Sequence, residues 1–320
     1  MILTCQRCSS KTPEELLYCL NCRTRLIPKN KYDLDLRDFA YRPDLDAIET
    51  VKVTGFLPYL LKRLTLADFE KNLLLDLSEK AVRVHHPSDF DTMIRQCAST
   101  LSLEALPDVF VANSSKSNAF TFGSEGRAYV VFTSALLRIV SMQELAAVVG
   151  HEFGHIRSGH MLYHTLAEVL AGGVGASASL VGLDLISIPI RLALLSWHRE
   201  SEVTADRASL LTVNDIKVLG SLFPKLASGL DPSSFDRTEM DTHKAGTMET
   251  LGELFRTHPL DSNRFRLAEE FWQSQEFQSG RRKIELRQKL LRALVPVCRF
   301  CGQRKSTDDL FCLDCGRCQS

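Results

Sequence analysis

The sequence lacks an excess of charge of either sign, because its 320 residues contain 39 Lys and Arg against 39 Asp and Glu. A global electrostatic argument for binding nucleic acid is therefore excluded. The sequence also lacks the basic region, apolar run and small-residue cleavage site of a secretory signal, since Met1 to Thr4 lead directly to Cys5. We therefore expect a reducing, cytoplasmic location. The content of 44% hydrophobic and 24% charged residues is typical of a globular chain and excludes disordered, collagen-like and coiled-coil classes.

Long hydrophobic runs are scarce as well. One segment, 166–183, is apolar and long enough to cross a bilayer. Its Gly and Ser content and the charged residues Asp184 and Arg191 beyond it favour a buried or peripheral helix over a spanning one. We therefore predict a cytoplasmic protein, with membrane association as an open alternative.

Cysteine is used in an unusual pattern. Eight of the ten cysteines fall into four Cys-x2-Cys pairs, and only Cys97 and Cys318 stand outside them. This spacing is typical of metal ligands. Two pairs at each terminus form a unit of about twenty residues, too small to fold by apolar burial alone, so we predict a structural zinc ion in each unit. The predicted ligands are Cys5, Cys8, Cys19 and Cys22 at the N-terminus, and Cys298, Cys301, Cys312 and Cys315 at the C-terminus.

The motif HEFGH at residues 151–155 carries the chemistry of the central region. A capping box formed by Ser141 and Glu144 predicts the helix on which it lies. His151 and His155 project from one face of this helix about 5 to 6 Å apart, close enough to bind one zinc ion. Glu152 is rotated by roughly 100° from His151 and is therefore placed to take a proton from a metal-activated water.

A catalytic zinc ion needs a third protein ligand and one open position. Downstream, a charged helix is predicted to carry Glu202 and Asp206 on one face, four residues apart. We predict Glu202 as the third ligand, with Asp206 holding the second ring nitrogen of a histidine ligand. Glu200 is the rival ligand. His160 and His164 are excluded as ligands by helical extrapolation, which places them on the opposite face.

The HEFGH motif, the Glu202-x3-Asp206 segment and the Asn118-Ala119-Phe120 segment together resemble the HtpX-like and CAAX prenyl endopeptidase family of gluzincins, over roughly residues 35–275. The resemblance implies an α+β, mainly helical zincin-type metallopeptidase with a small β-sheet. It also implies zinc endopeptidase activity on a peptide or protein substrate, with protein quality control as a candidate role.

The resemblance further assigns roles to individual residues. It implies that Asn118 and Ala119 contact the substrate backbone, whereas the residues alone also allow a turn-forming asparagine. The segment Thr257-His258-Pro259 followed by Arg264 matches a His-Pro motif of the family. By resemblance, His258 and Arg264 would face the oxyanion of the transition state. The sequence alone would assign His258 to a loop.

The predicted domains are an N-terminal zinc ribbon over 1–27, a peptidase domain over 32–280, a basic amphipathic linker helix over 281–297 and a C-terminal zinc ribbon over 298–318. The peptidase domain begins with a helical region and contains two β-prone runs that predict the small sheet. The chain lacks the pair of N-terminal hydrophobic spans found in integral-membrane members of the family. We interpret the ribbons as appended modules that contact protein, with nucleic acid as the less favoured partner.

These observations predict a zinc endopeptidase with one catalytic and two structural zinc ions. His151, His155 and Glu202 would hold the catalytic ion, Glu152 would act as general base, and zinc with His258 would stabilise the oxyanion. The competing hypothesis is a catalytically weak zinc-ribbon adaptor that binds proteins or nucleic acid. The intact HEFGH motif argues against this adaptor hypothesis.

Overall fold

The protein is represented by a computed structural model that describes residues 2–13, 17–53, 66–85, 88–124, 126–161, 188–230 and 262–294. The strands are β1 (Ile2–Thr4), β2 (Lys11–Pro13), β3 (Ala81–Arg83), β4 (Asp108–Ala112), β5 (Ala119–Ser124) and β6 (Arg127–Thr133). The helices are α1 (Arg42–Val53), α2 (Leu66–Lys80), α3 (Asp89–Thr100), α4 (Ser134–Ile139), α5 (Met142–Ser158), α6 (Ile188–Val213), α7 (Ile216–Ser228), α8 (Ser262–Trp272) and α9 (Gln275–Leu294). The mainly helical architecture with small sheets confirms the predicted fold class at this level. The C-terminal ribbon, His258 and segment 166–183 lie outside the described residues.

The larger sheet has the strand order β3-β4-β6-β5. Strands β4 and β6 run parallel, and the two outer strands pair antiparallel with them. The apolar strand β6 is buried on both faces, because Val130 and Phe132 enter the main hydrophobic core whereas Tyr129 and Val131 enter a second apolar cluster. This arrangement leaves β5 at the edge of the described sheet, where it contacts α5.

Helix α5 carries the HEFGH motif and begins at the predicted capping box. The Ser141 hydroxyl accepts a hydrogen bond from the Glu144 backbone N–H at 3.3 Å, and Glu144 Oε2 accepts one from the Ser141 N–H at 2.7 Å. Lys225 of α7 contacts the same carboxylate oxygen at 2.9 Å. The helix ends at Ser158 and is followed by Gly159, whose φ of 72° lies in the left-handed region.

Two glycines allow α5 to approach α6 closely. Gly150 and Gly154 lie four residues apart and therefore share one face of α5. A Cβ atom at Gly150 would lie 2.7 Å from Oγ1 of Thr212, and one at Gly154 would lie 2.8 Å from Cβ of Ala208. The backbones can thus pack at a distance that larger side chains would prevent. This close packing brings the histidines of α5 within reach of the carboxylates of α6.

Gly154→Ala is expected to lower the free energy of unfolding by about 1 to 3 kcal/mol, the usual cost of overpacking a filled interior. The added methyl would also lie 3.0 Å from Cα of Ala205, a backbone atom that cannot rotate away. Chemical denaturation measures the loss. Gly220→Ala is a matched control, because its nearest neighbours are ring carbons of Phe265 at 3.5 Å, an ordinary contact distance. Wild-type stability in Gly154→Ala would contradict the close packing of α5 on α6.

The N-terminal cysteine cluster packs directly on the region that the sequence predicts to be the peptidase domain. Tyr18, which precedes the second cysteine pair, is buried in the main hydrophobic core, and its hydroxyl donates a hydrogen bond to the backbone carbonyl of Leu103 at 3.1 Å. The Arg25 backbone N–H donates to the carbonyl of Glu104 at 2.8 Å. The unit predicted as an appended module over 1–27 therefore shares its interior with the rest of the described structure.

Helix α9 contacts the segment that follows the N-terminal cysteine cluster. It begins at Gln275, earlier than the linker helix predicted over 281–297. The Arg287 guanidinium donates to Oδ1 of Asp33 at 2.7 Å, and the Arg25 guanidinium donates to both carboxylate oxygens, the shorter contact being 2.8 Å to Oδ2. Burial opposes ionisation of Asp33, but the two arginines outweigh it and lower the pKa of this carboxyl. Asp33 thus joins the N-terminal cluster to α9.

The described helices contain no stretch that is long and apolar enough to cross a membrane. The candidate span at 166–183 lies outside the residues that the structure describes, so this part of the membrane prediction stays a prediction.

Candidate active site

Three side chains that can bind a metal ion, two histidines and one glutamate, converge between α5 and α6. Nε2 of His151 and Nε2 of His155 lie 3.1 Å apart. Oε2 of Glu202 lies 3.4 Å from Nε2 of His151, and Oε1 lies 3.3 Å from Nε2 of His155. All three side chains are buried. The structure therefore brings together the three residues predicted as ligands, whereas Glu200 is absent from this cluster of described residues.

The donor set of this cluster fits a zinc ion. Each histidine directs its Nδ1 to another side chain, namely Asp206 for His151 at 3.0 Å and His160 for His155 at 3.1 Å. If each Nδ1 carries the proton, both Nε2 atoms present lone pairs beside the Glu202 carboxylate. Two imidazole nitrogens and one carboxylate oxygen are the protein ligands of a common type of catalytic zinc site.

The electrostatics of the two histidines differ. Burial disfavours the charged form of His151, but hydrogen bonds to Asp206 and Glu202 outweigh this effect and raise its pKa to about 10. Burial dominates at His155 and lowers its pKa well below the ordinary value. A bound cation would require both imidazoles to be neutral, with a lone pair on each coordinating nitrogen.

Asp206 and Arg264 lie behind the converging groups. Arg264 Nε donates to Oδ2 of Asp206 and Nη2 donates to Oδ1, both at 2.7 Å, while Nη1 lies 3.0 Å from Oε2 of Glu202. Burial raises the pKa of Asp206, but the charge of Arg264 outweighs it and the net shift is downward. Asp206 lies beside His151 as predicted for a carboxylate that orients a ligand. Arg264, which the family resemblance assigns to the oxyanion, contacts these two carboxylates.

Glu152 lies one residue beyond the first histidine and is almost fully buried, at 1% exposure. Thr121 of β5 donates a hydrogen bond from its hydroxyl to Oε2 of Glu152 at 2.5 Å. Thr121 was not predicted from the sequence. The alternation of side chains along β5 could have identified it. Residues two apart on a strand share a face, and Thr121 lies two residues after Ala119, which was already a candidate.

Asn118 and Ala119 lie at the start of the edge strand β5. The Asn118 backbone N–H donates to the Thr133 hydroxyl at 2.8 Å, and the Thr133 N–H donates to the Asn118 carbonyl at 3.0 Å. Thr133 thus fixes the backbone at the entry to the strand. Asn118 and Ala119 both line a cavity that also contains His151, Glu152 and Arg264.

The remaining wall of this cavity is mainly apolar. Its aliphatic and aromatic side chains come from helices α4, α5 and α7, and they are Leu136, Val148, Leu222, Phe223 and Leu226. The cavity can therefore place a polar group beside the carboxylate of Glu152 and an apolar group against the aliphatic and aromatic wall.

The N-terminal cysteine cluster is a second group suited to a metal ion. Its four sulfur atoms all lie within 4.8 Å of one another, with Cys5 and Cys22 at 3.5 Å and Cys8 and Cys19 at 3.6 Å. Ser9 and Arg23 follow the second cysteine of each pair and both have left-handed backbone conformations, with φ of 58° and 61°. The two Cys-x2-Cys turns therefore share one geometry, as their common spacing predicts. Four thiolates form a closed tetrahedral set for zinc.

Comparison with known proteins places these features in context. Residues 86–271 match the family described as Peptidase family M48. Over 264 residues the chain is 30% identical to the plastoglobule-localized metallopeptidase 48, chloroplastic, of Arabidopsis thaliana, which covers 77% of this chain and 76% of that protein.

Two bacterial relatives are named protease HtpX homolog. The one from Burkholderia thailandensis is 27% identical over 206 residues, which cover 55% of this chain and 71% of that protein. The one from Streptococcus equi subsp. equi is 26% identical over 215 residues, which cover 56% of this chain and 72% of that protein. No solved structure matches the chain.

Proposed function

The chain belongs to peptidase family M48 and is a metalloprotease, and from this we propose that the cluster of His151, Glu152, His155 and Glu202 is where peptide bonds are hydrolysed. The single observation that supports this assignment best is the convergence of three buried metal-binding groups beside a buried carboxylate and a cavity. Peptides or proteins are the substrates. The competing adaptor hypothesis draws no support from the comparisons.

We propose that His151, His155 and Glu202 hold the catalytic zinc ion. When bound there, zinc supplies a positive charge that acidifies water and polarises the scissile carbonyl. Asp206 would hold His151 in the tautomer that directs its Nε2 to the metal. Arg264 would balance the charge of Asp206 and Glu202 and fix both carboxylates, since its three nitrogens contact them.

Glu152 is proposed as the general base. Its carboxylate would accept a proton from the attacking water and deliver it to the leaving amine. Thr121 would keep the carboxylate in place by donating to Oε2. The predicted oxyanion contacts belong to His258 and Arg264. His258 lies outside the described residues, and both roles stay predictions.

Asn118 and Ala119 are proposed to bind the substrate backbone. They begin the edge strand β5, and an extended peptide can pair with the edge of a sheet through main-chain hydrogen bonds. A peptide aligned along β5 would pass Thr121 and present its scissile bond to Glu152. The apolar wall of the cavity would accept one apolar side chain of this peptide.

The four cysteines at the N-terminus are proposed to bind a structural zinc ion, separate from the catalytic one. Their site is closed, because four thiolates complete a tetrahedron and leave no position for water. The C-terminal ribbon would bind a further zinc ion and stays a prediction. A protein partner for the ribbons stays a prediction, and the described contacts of the N-terminal cluster lie within its own chain.

Metal analysis tests the catalytic assignment. His155→Ala is expected to contain one zinc ion fewer per chain than the wild type and to lose peptide hydrolysis, because only two ligands would remain. Zinc quantified by mass spectrometry and cleavage of an unstructured peptide measure both effects. His85→Ala is the matched control, since His85 is exposed and belongs to neither described metal-binding cluster. An unchanged zinc content in His155→Ala would remove the catalytic metal from this site.

A further inference from the structure

The turn after helix α5 folds a third histidine back onto the metal-binding cluster. Gly159 adopts a left-handed conformation, and the backbone N–H of His160 donates to the carbonyl of His155 at 3.0 Å. This is the geometry of a Schellman turn, in which the second residue after the helix returns to its last full turn. His160 is consequently 2% exposed and lies against His155. Helical extrapolation from the sequence missed this contact because the helix has already ended.

Metal binding at His155 would fix the direction of the hydrogen bonds in this cluster. Nδ1 of His155 and Nδ1 of His160 lie 3.1 Å apart, so one of these nitrogens donates and the other accepts. A lone pair on Nε2 of His155, as metal binding requires, leaves the proton on Nδ1 of His155. Nδ1 of His160 is then the acceptor, and its Nε2 carries a proton. Nε2 of His160 lies 3.1 Å from Oδ2 of Asp44 and donates this proton to the carboxylate.

Asp44 of helix α1 is the end point of this chain of hydrogen bonds. It is 1% exposed and accepts from the Trp197 indole N–H at 2.8 Å and from the Thr204 hydroxyl at 2.6 Å. Trp197 and Thr204 lie on α6, on either side of Glu202 in the sequence. One carboxylate therefore reaches His155 through His160 and also holds the segment of α6 that carries the third metal-binding group.

The two histidines of the HEFGH motif are thus held by different means. His151 contacts the carboxylate of Asp206 directly, and the charge of that carboxylate is balanced by Arg264. His155 contacts the imidazole of His160, and the carboxylate of Asp44 lies one residue further away. Partners of this kind set the tautomer and ring orientation of a ligand, and their loss typically weakens metal binding by about 10- to 100-fold.

We propose that His160 and Asp44 are positioning residues of the metal site, which hold His155 with its Nε2 lone pair toward the metal. This inference rests on the proposed function of the His151, His155 and Glu202 cluster. His160 is not proposed as a ligand, because its ring contacts Nδ1 of His155, on the far side of that imidazole from Glu202.

A pair of substitutions of nearly equal size tests the role of His160. His160→Asn keeps an oxygen acceptor close to the position of Nδ1, whereas His160→Leu fills the same space without an acceptor. We expect His160→Leu to weaken metal binding at the catalytic site by about 10- to 100-fold and His160→Asn to retain most of the wild-type affinity. A role in packing alone would favour leucine, since the position is buried.

Cobalt titration measures this affinity independently of turnover. The absorption of Co²⁺ bound by histidine and carboxylate lacks the sulfur-to-metal charge-transfer bands of a four-thiolate site, so the two kinds of site can be followed in one sample of the full chain. Equal affinities of the leucine and asparagine variants, whether both weakened or both unchanged, would overturn the proposal. A wild-type chain without a histidine-type cobalt signal would overturn the proposed function as well.

Asp44→Asn provides a second test if His160→Leu does not fold. Asp44 accepts from three donors, and an asparagine in its place must turn its amide N–H toward at least one of them. If the amide faces His160, the imidazole must change tautomer and its Nδ1 proton then meets the Nδ1 proton of His155. The opposite orientation is disfavoured, because the amide N–H would then oppose the indole N–H of Trp197. We expect cobalt affinity to fall by about 10- to 100-fold, and wild-type affinity would remove Asp44 from the proposal.

Discussion

Glu152→Gln is expected to lower kcat for peptide hydrolysis by about 10²- to 10⁴-fold, the usual contribution of a general base. Glutamine fills the same volume as glutamate, and it can still accept a hydrogen bond from Thr121 through its amide oxygen. It cannot take a proton from water. The zinc content and the melting temperature are expected to stay close to those of the wild type, because Glu152 is absent from the set of converging ligand atoms.

The measurement is hydrolysis of a fluorogenic unstructured peptide at saturating concentration, with zinc quantified in the same samples. Glu269→Gln is the control variant, because Glu269 is an exposed residue of α8 and its substitution should leave kcat unchanged. Retention of wild-type kcat in Glu152→Gln, with zinc bound, would assign the base to another residue. Loss of zinc together with activity would instead show that Glu152 supports the metal site.

Tyr18→Ala is expected to destabilise the whole described structure by about 3 to 5 kcal/mol, as is typical for removal of a large buried aromatic side chain. Tyr18 is fully buried and belongs to the same hydrophobic core as α5 and β6. Because this residue lies between the two cysteine pairs, its removal should separate the N-terminal ribbon from the peptidase region. Chemical denaturation followed by tryptophan fluorescence reports on the peptidase region, where Trp197 and Trp272 lie.

Tyr18→Phe separates the aromatic contribution from that of the hydroxyl. Phenylalanine keeps the ring and loses only the hydrogen bond to the Leu103 carbonyl, so the expected loss is about 1 to 3 kcal/mol, the cost of leaving a buried carbonyl without its donor. If Tyr18→Ala changed neither the midpoint nor the cooperativity of unfolding, the ribbon would be the independent module that the sequence suggests. The stability of a chain shortened to 32–297 would then equal that of the full chain.

The parts of the site that the sequence predicts are those set by local geometry. Two histidines separated by one helical turn need only the helix, and the capping box that starts this helix is formed by adjacent residues. The choice of Glu202 over Glu200 depends on which face of α6 meets α5. That face is determined by Gly150 and Gly154, whose close contacts with α6 could not be inferred from helical periodicity alone.

Residues that act across the fold were harder to predict. Extrapolation of the helix excluded His160, yet Gly159 ends the helix and reverses the chain before His160 is reached. Arg264 was assigned by resemblance to the oxyanion, which stays a prediction, and the contacts of its guanidinium with Asp206 and Glu202 were not foreseen. Thr121 was overlooked because a threonine in a β-prone run ordinarily indicates only strand propensity.

The pairing of Asp33 with both Arg25 and Arg287 has a consequence for the order of events during synthesis. The partners Asp33 and Arg287 are separated by 254 positions, so their bond can form only after nearly all of the described chain has left the ribosome. Contacts between distant parts of a chain slow folding, because a long loop must be closed before they form. With the proposed zinc ion bound, the N-terminal cysteine cluster could fold early, but its contacts in the finished structure include α9. Newly made chains should therefore remain open to proteases until α9 is in place, and a nascent chain halted before residue 287 should be cleaved far faster than the finished protein.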